Sequence, residues 1–442
     1  MADRTKSKDS LVILSPRPMP PDSPAVASIE SFTPHEPHYI GVPDSGRRAW
    51  LVVISGFINF TASFGIINSF GTFQSEYGNS LRLPASTATW IGSTQMFVLF
   101  LSGSFIGPAF DKWGARKLMI SGTFLCLAAF IACSFATEFY QLLLAQGLLF
   151  GLGCALLFYP TTSAVSEWFD KKRGFALGLV VSGASAGGIL WPMVLNKLFL
   201  RIGTASTHRV AAAIAVPLML LSCVFVRERK NIAGHDTAGK GINASQTSIS
   251  KAIWDVRFLG LSTALLFVDC GMMVPFSYLP QYAKHHNIDG TMANNLLAIS
   301  YAASLVGRIF TGWVADHIGR FNILLLVSTL TSVATLCFAW AATLPTLVVI
   351  SLLFGFSSGG IVPLGSALVA QTTPDMGYIG LRIGAMMAIC SVGTLAGGPA
   401  AGAIKDATND WTNLFIFCAS VTMMGIFMLL PLRIICSKRI VF

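Results

Sequence analysis

Twelve apolar runs constrain this chain more than any other feature. Each is close to the roughly 20 residues that an α-helix needs to cross a bilayer. They read as 49–73, 88–110, 118–136, 140–165, 174–196, 210–226, 258–282, 293–315, 321–341, 345–369, 380–403 and 411–432. A segment of this length in hydrocarbon must satisfy its own backbone polar groups, and a helix does so. Charged residues make up 11% of the 442, against roughly 25% in a soluble domain. Such a chain cannot cover a water-facing surface, so its surroundings are largely lipid. The predicted fold class is an all-α membrane protein with twelve transmembrane helices.

A net charge of +10 is compatible with nucleic acid as a partner, but its distribution speaks against that. No basic stripe with interleaved aromatics exists; Lys and Arg sit between the apolar runs instead. With the N-terminus inside, 23 of the 30 Lys and Arg fall in inner segments, which predicts both termini in the cytosol. Lys197, Arg201 and Arg209 run against this rule. The expected organisation is a polar, proline-rich cytoplasmic tail over 1–48, a six-helix bundle over 49–226, a cytoplasmic linker over 227–257, a second bundle over 258–435 and a short tail over 436–442. The tail holds no early apolar core of a cleavable signal, and the expected location is the plasma membrane, with the chain acting as a monomer. The nine cysteines lie in or beside apolar runs without CxxC or Cys/His spacing, so no metal and no cofactor is expected. No nucleophile–base pair or phosphate-binding loop is visible, which argues against an enzyme.

The chain repeats itself. Gly107 to Lys117 is a short charged turn between the second and third runs, and it recurs, degraded, as Gly312 to Arg320. Leu148 to Gly151 matches Leu352 to Gly355, Pro160 matches Pro363, and Gly183/Gly187 matches Gly393/Gly397. One six-helix unit used twice predicts two pseudo-symmetric bundles. The candidate gating residues are Asp111, Arg116, Asp316 and Arg320. A carboxylate with cations at the ends of two spans can hold a neighbouring helix end and keep one conformation closed; the alternative is a turn that only sets topology. Glycines four apart at Gly174, Gly178, Gly183 and Gly187, and at Gly380, Gly384, Gly393 and Gly397, allow close helix approach. They fit either static packing or surfaces that repack.

Asp269 and Arg308 lie deep inside apolar runs. A charge there costs at least about 2.5–3.5 kcal/mol and usually faces water or another charge. At about 1.5 Å per residue they sit roughly 18 and 12 Å from the cytosolic ends, which permits a contact. Arg308 is the candidate anion-binding group of a central cavity, with Asp269 as its partner; a purely structural ion pair is the alternative. Asn59, Asn68, Tyr159 and Tyr278 are further cavity candidates, and for each a packing role competes.

These motifs, in this order, resemble the major facilitator superfamily. Asp44 to Trp50 resembles the entry to the first helix in its monocarboxylate porter family, and Trp168 to Gly178 resembles that family's entry to the fifth. Ala293 to Asn322 resembles its fungal branch around helix 8. The resemblance covers roughly 49–435. It implies the major facilitator fold, a central site and small organic anions or related metabolites as substrates. Family members that carry lactate with a proton place a lysine where this chain has Asn68, and an aspartate where it has Ser304; Arg308 is kept. The usual proton-coupling set is therefore incomplete, and Asp269 stands as an alternative titrating group. The functional expectation is alternating-access transport of a small, anionic organic metabolite across the lipid bilayer, leaning to efflux of a fungal secondary metabolite. Uptake of a monocarboxylate or of a vitamin such as riboflavin, or nutrient sensing without transport, are the alternatives.

Overall fold

The computed structural model describes residues 46–81, 85–228, 255–373 and 378–437. Most of the expected tail over 1–48, most of the linker and residues 438–442 lie outside them. Every regular element among the described residues is helical.

The spans run in chain order. The first, α1, is Arg47–Ala62 continued by Phe64–Asn68 and Phe70–Ser80. The second, α2, is Ala85–Leu101 bent by 43° into Gly103–Trp113. Then come α3 (Ala115–Phe135) and α4, which is Phe139–Leu142, a π-helical Leu143–Phe150 and Gly151–Trp168. Residues Arg173–Phe225 form one 53-residue run that parts at Gly203, whose φ is 75°. Its two arms are α5 and α6. The second half holds α7 (Val256–His285), α8 (Gly290–Ile318), α9 (Arg320–Phe338), α10 (Leu344–Gly359 continued by Ile361–Thr372), α11 (Ile379–Thr408) and α12 (Trp411–Ser437). Among the described residues, ten helices are long and apolar enough to cross a membrane, and the bent α2 pair makes an eleventh. Dividing the long run at Gly203 brings the described spans to the expected twelve.

Local chemistry explains the breaks. In α1, the Ser63 and Ser69 hydroxyls donate to Asn59 O and Gly65 O, both at 2.7 Å. Such back-bonding competes with the helix ladder and bends it. In α2 the Ser102 hydroxyl donates to Leu99 O at 3.1 Å. The two repeated turns share one cause. Gly114 and Gly319, each three residues after the repeated aspartate, have φ of 77° and 105°. A side chain is strained there, so glycine is needed to reverse the chain within one residue. Arg209, one of the residues that break the charge rule, lies on α6. Its Nε donates to Ser134 Oγ at 3.3 Å, and its guanidinium lies 5.2 Å over the Phe135 ring.

Candidate functional site

The two repeated aspartates do the same job in opposite directions. Asp111 in α2 accepts from the Gly380 and Leu381 amides at 2.9 and 2.8 Å. Asp316 in α8 accepts from the Gly174 and Phe175 amides at 2.9 and 2.8 Å. Each carboxylate thus caps the first turn of a helix in the other half, α11 and α5 respectively. Those amides have no partner within their own helix, and the helix dipole favours an anion there. Arg320 steadies the second copy. It pairs with Asp316 at 3.0 Å, donates to Gln371 Oε1 at 3.3 Å and donates to Asp170 O. Arg116 is not part of the corresponding arrangement in the first copy: its side chain is exposed. At this turn Glu228 accepts from the Ala115 amide at 3.1 Å. Asp255 and Arg382 add a further pair at 3.0 Å, with Arg382 donating to Thr372 O at 2.7 Å. The sequence reading missed Glu228 and this pair, because neither belongs to the repeat.

Behind the caps, the glycines divide by position. The first two of each set face the opposite half: Gly174 and Gly178 lie against Gly312 and the Arg308 carbonyl, while Gly380 and Gly384 lie against Gly107 and Gly103. The second two face their own half. Gly183 and Gly187 meet Phe57 and Gly65 in α1, and Gly393 and Gly397 meet Leu266 and Cys270 in α7. A methyl group at Gly178 or Gly384 would collide with a carbonyl oxygen across the cleft. The charged-turn face is therefore closed along α5–α8 and α2–α11.

Arg308 and Asp269 do not pair, contrary to expectation. Arg308 Nη1 donates to Val181 O in α5 at 2.6 Å, and its Nε is buried with no hydrogen-bond partner. A charge-assisted bond to a peptide carbonyl serves this guanidinium in place of the carboxylate. Asp269 instead faces α10 and α11. It borders a small cavity lined by Leu265, Ile361, Val362, Gly365, Met386 and Cys390, with space for water centres of about 10 Å³. Arg308 does not border that cavity, nor a similar one around His208. Arg308 nevertheless keeps part of its surface exposed.

Around Arg308 the structure collects residues that the sequence reading named only in part. Asn68 donates through Nδ2 to Ala184 O at 3.0 Å and lies beside Gly188. Tyr301, two helical turns before Arg308, reaches Asn68 O at 3.5 Å. Its ring stacks on Phe276 with centroids 5.4 Å apart. Tyr301 and Phe276 were missed; the i, i+7 spacing from Tyr301 to Arg308 was the available signal. Tyr159 and Tyr278 lie elsewhere. Tyr159 is fully buried, and its hydroxyl donates to Leu99 O and Phe100 O at 3.2 and 3.0 Å, at the bend of α2. Tyr278 donates to Gly398 O at 3.3 Å and meets Trp411 edge-on. Both bonds join helices within one half. Asn59 donates through Nδ2 to Leu157 O and Thr161 Oγ1 within its own half, and its buried Oδ1 has no hydrogen-bond partner. Among the described residues, no group of three or more His, Cys, Asp or Glu side chains is placed to hold a metal.

A closed face with two mirror-image caps, glycine seams between two halves and one guanidinium at mid-span is the geometry of a carrier. The comparisons agree. The profile described as Major Facilitator Superfamily matches residues 52–293 and 259–439. The MFS-type transporter pynF of Aspergillus niger is 40% identical over 405 residues, covering 91% of this chain and 92% of that protein. The Aspyridones efflux protein apdF of Emericella nidulans is 34% identical, covering 89% of this chain and 79% of its own length. Among solved structures, the transporter FucP in its outward conformation superposes with a TM-score of 0.69 at 16% identity, over 87% of this chain and 99% of that one; this likeness concerns the fold alone. The chain is a multi-pass membrane transporter, not an enzyme, and it belongs to the Major Facilitator Superfamily.

Proposed function

We propose that this transporter exports a small, anionic organic metabolite of fungal secondary metabolism from the cytosol, across the plasma membrane, by alternating access. The observation that carries the reading is Arg308. It is a guanidinium at mid-span between the two halves, holding one carbonyl and keeping Nε unpaired. An anion entering between α5 and α8 satisfies that Nε and competes with Val181 O for the rest of the fork. The Tyr301–Phe276 stack beside it presents an aromatic wall suited to a planar acid. The efflux protein among the relatives supports the direction of transport. Both termini lie in the cytosol, the charged-turn face is the cytosolic one, and the chain works as a monomer. Membership of the monocarboxylate porter branch rests on Arg308 and the entries to the first and fifth helices.

The test compares metabolites in medium and cells from strains with and without the gene, and with Arg308→Lys. A compound retained in cells lacking the gene and depleted from their medium identifies the exported substrate. Arg308→Lys should reproduce that retention, since an ammonium cannot present the planar fork. A compound left unused in the medium of cells lacking the gene refutes export and indicates uptake. Saturable binding of a metabolite without flux into vesicles would mark a sensor.

A further inference from the structure

Asp269 is a carboxyl that the closed conformation leaves without a countercharge. It is 6% exposed, and its Oδ1 has no hydrogen-bond partner. The groups around it come from five helices. Cys390 on α11 touches it, and Cys270 lies beside it on α7. Tyr159 on α4 approaches Cys390, and Cys418 on α12 approaches Cys270. From α10 come only Ile361, Val362 and Gly365. No Lys, Arg or His pairs with it among the described residues, and Arg308 is turned to Val181. The adjoining space of about 10 Å³ is at the lower limit for one water, and Asp269 and Cys390 are the only polar side chains lining it. A bare carboxylate in such a place costs several kcal/mol, and proton uptake removes that cost.

The fold does not require an acid there. Gly183 lies against Phe57 O in the first half and Gly393 against Leu266 O in the second. That register pairs Asp269 with Phe60, a buried ring stacked on Phe64. The carboxyl is therefore particular to this site. Its seal is particular too. Met386, Met387 and Cys390 line the cavity from α11, the helix whose Gly380 and Leu381 amides Asp111 holds. They stand about 8–15 Å along that helix from the cap. When α11 leaves α2, the wall over Asp269 moves with it.

We propose that Asp269 is the proton-binding site of this transporter, occupied when the charged-turn face is closed and released when α11 withdraws. This rests on the alternating-access reading above and adds its coupling ion. The proton comes from bulk water and returns to it; only the O–H bond of the carboxyl forms and breaks. Binding of the proton favours closure, and closure favours binding of the proton, by the same factor.

The experiment uses the full chain in lipid nanodiscs, with no metabolite added. Infrared difference spectra are recorded as pH is stepped. The wild type should show a protonated-carboxyl stretch that persists at neutral pH and is lost in Asp269→Asn. Asp269→Glu should shift the band rather than remove it, which keeps the assignment testable if the asparagine variant folds poorly. Asp111→Asn, which frees α11, should lower the pH at which the band titrates. A neutral-pH spectrum with no band sensitive to either Asp269 variant overturns the proposal. An unmoved midpoint in Asp111→Asn overturns its link to the gate. Failure of the export reading would appear in the metabolite comparison and leave these spectra unchanged.

Discussion

Replacing Asp111 with asparagine should open the charged-turn face. The carboxylate accepts two amides of the first turn of α11, at 2.9 and 2.8 Å. Asparagine keeps one acceptor and turns an NH₂ donor toward the other amide. One charge-assisted bond is lost, worth about 1.5–3 kcal/mol, together with about 0.3–1 kcal/mol of helix-dipole interaction. Water reaches this half-exposed face and recovers part of the loss, leaving about 2 kcal/mol. That corresponds to about a thirtyfold shift from the closed to the open state. Asp316→Asn acts on the separate α5–α8 seam, so the two effects should add. Spin labels at Lys112→Cys and His317→Cys, on a background without native cysteines, report the separation of the halves. Both sites are exposed near this face. The expected result is a longer-distance population in each single variant, dominant in the double. An unchanged distance distribution in Asp111→Asn, with the protein folded, would show that the cap does not hold the face shut.

Three further outcomes follow from the same contacts. Gly384→Ala places a methyl against the Gly103 carbonyl; overpacking of about 1–3 kcal/mol should favour the open distances in the same spin-label measurement. Tyr159→Phe removes the hydroxyl that donates to Leu99 O and Phe100 O. It should lower thermal stability by about 1 kcal/mol and leave the apparent affinity for the exported compound unchanged; a tenfold loss of affinity would place Tyr159 against the substrate instead. Gly319→Ala puts a side chain at φ 105° and should cost about 1 kcal/mol or more in a melting experiment, whereas Gly290→Ala, in open space apart from the Lys284 chain, should cost less.

Much of the fold is legible in the amino-acid sequence alone. A bilayer-spanning helix satisfies its backbone within itself, so length and hydropathy alone mark each span. A turn between two such helices has room for few residues, so the repeat of aspartate with glycine three positions on is readable at Asp111/Gly114 and Asp316/Gly319. The sixth span begins before the expected residue 210, because α5 runs into α6 at Gly203 and the polar residues Thr204, Ser206, Thr207, His208 and Arg209 lie within the helix instead of in a loop. The partners are not legible. Asp111 is held by amides 269 and 270 positions away, and a backbone amide carries no sequence signature. By residue count Arg308 and Asp269 lie within about 6 Å of each other in depth, and that closeness suggests a pair. Helix rotation decides otherwise, turning Arg308 to a carbonyl of α5 and Asp269 to a cavity beside α10 and α11. Hydropathy determines that a helix spans. Which face it shows to which neighbour depends on small-residue seams formed between distant segments, and only the tertiary structure sets those.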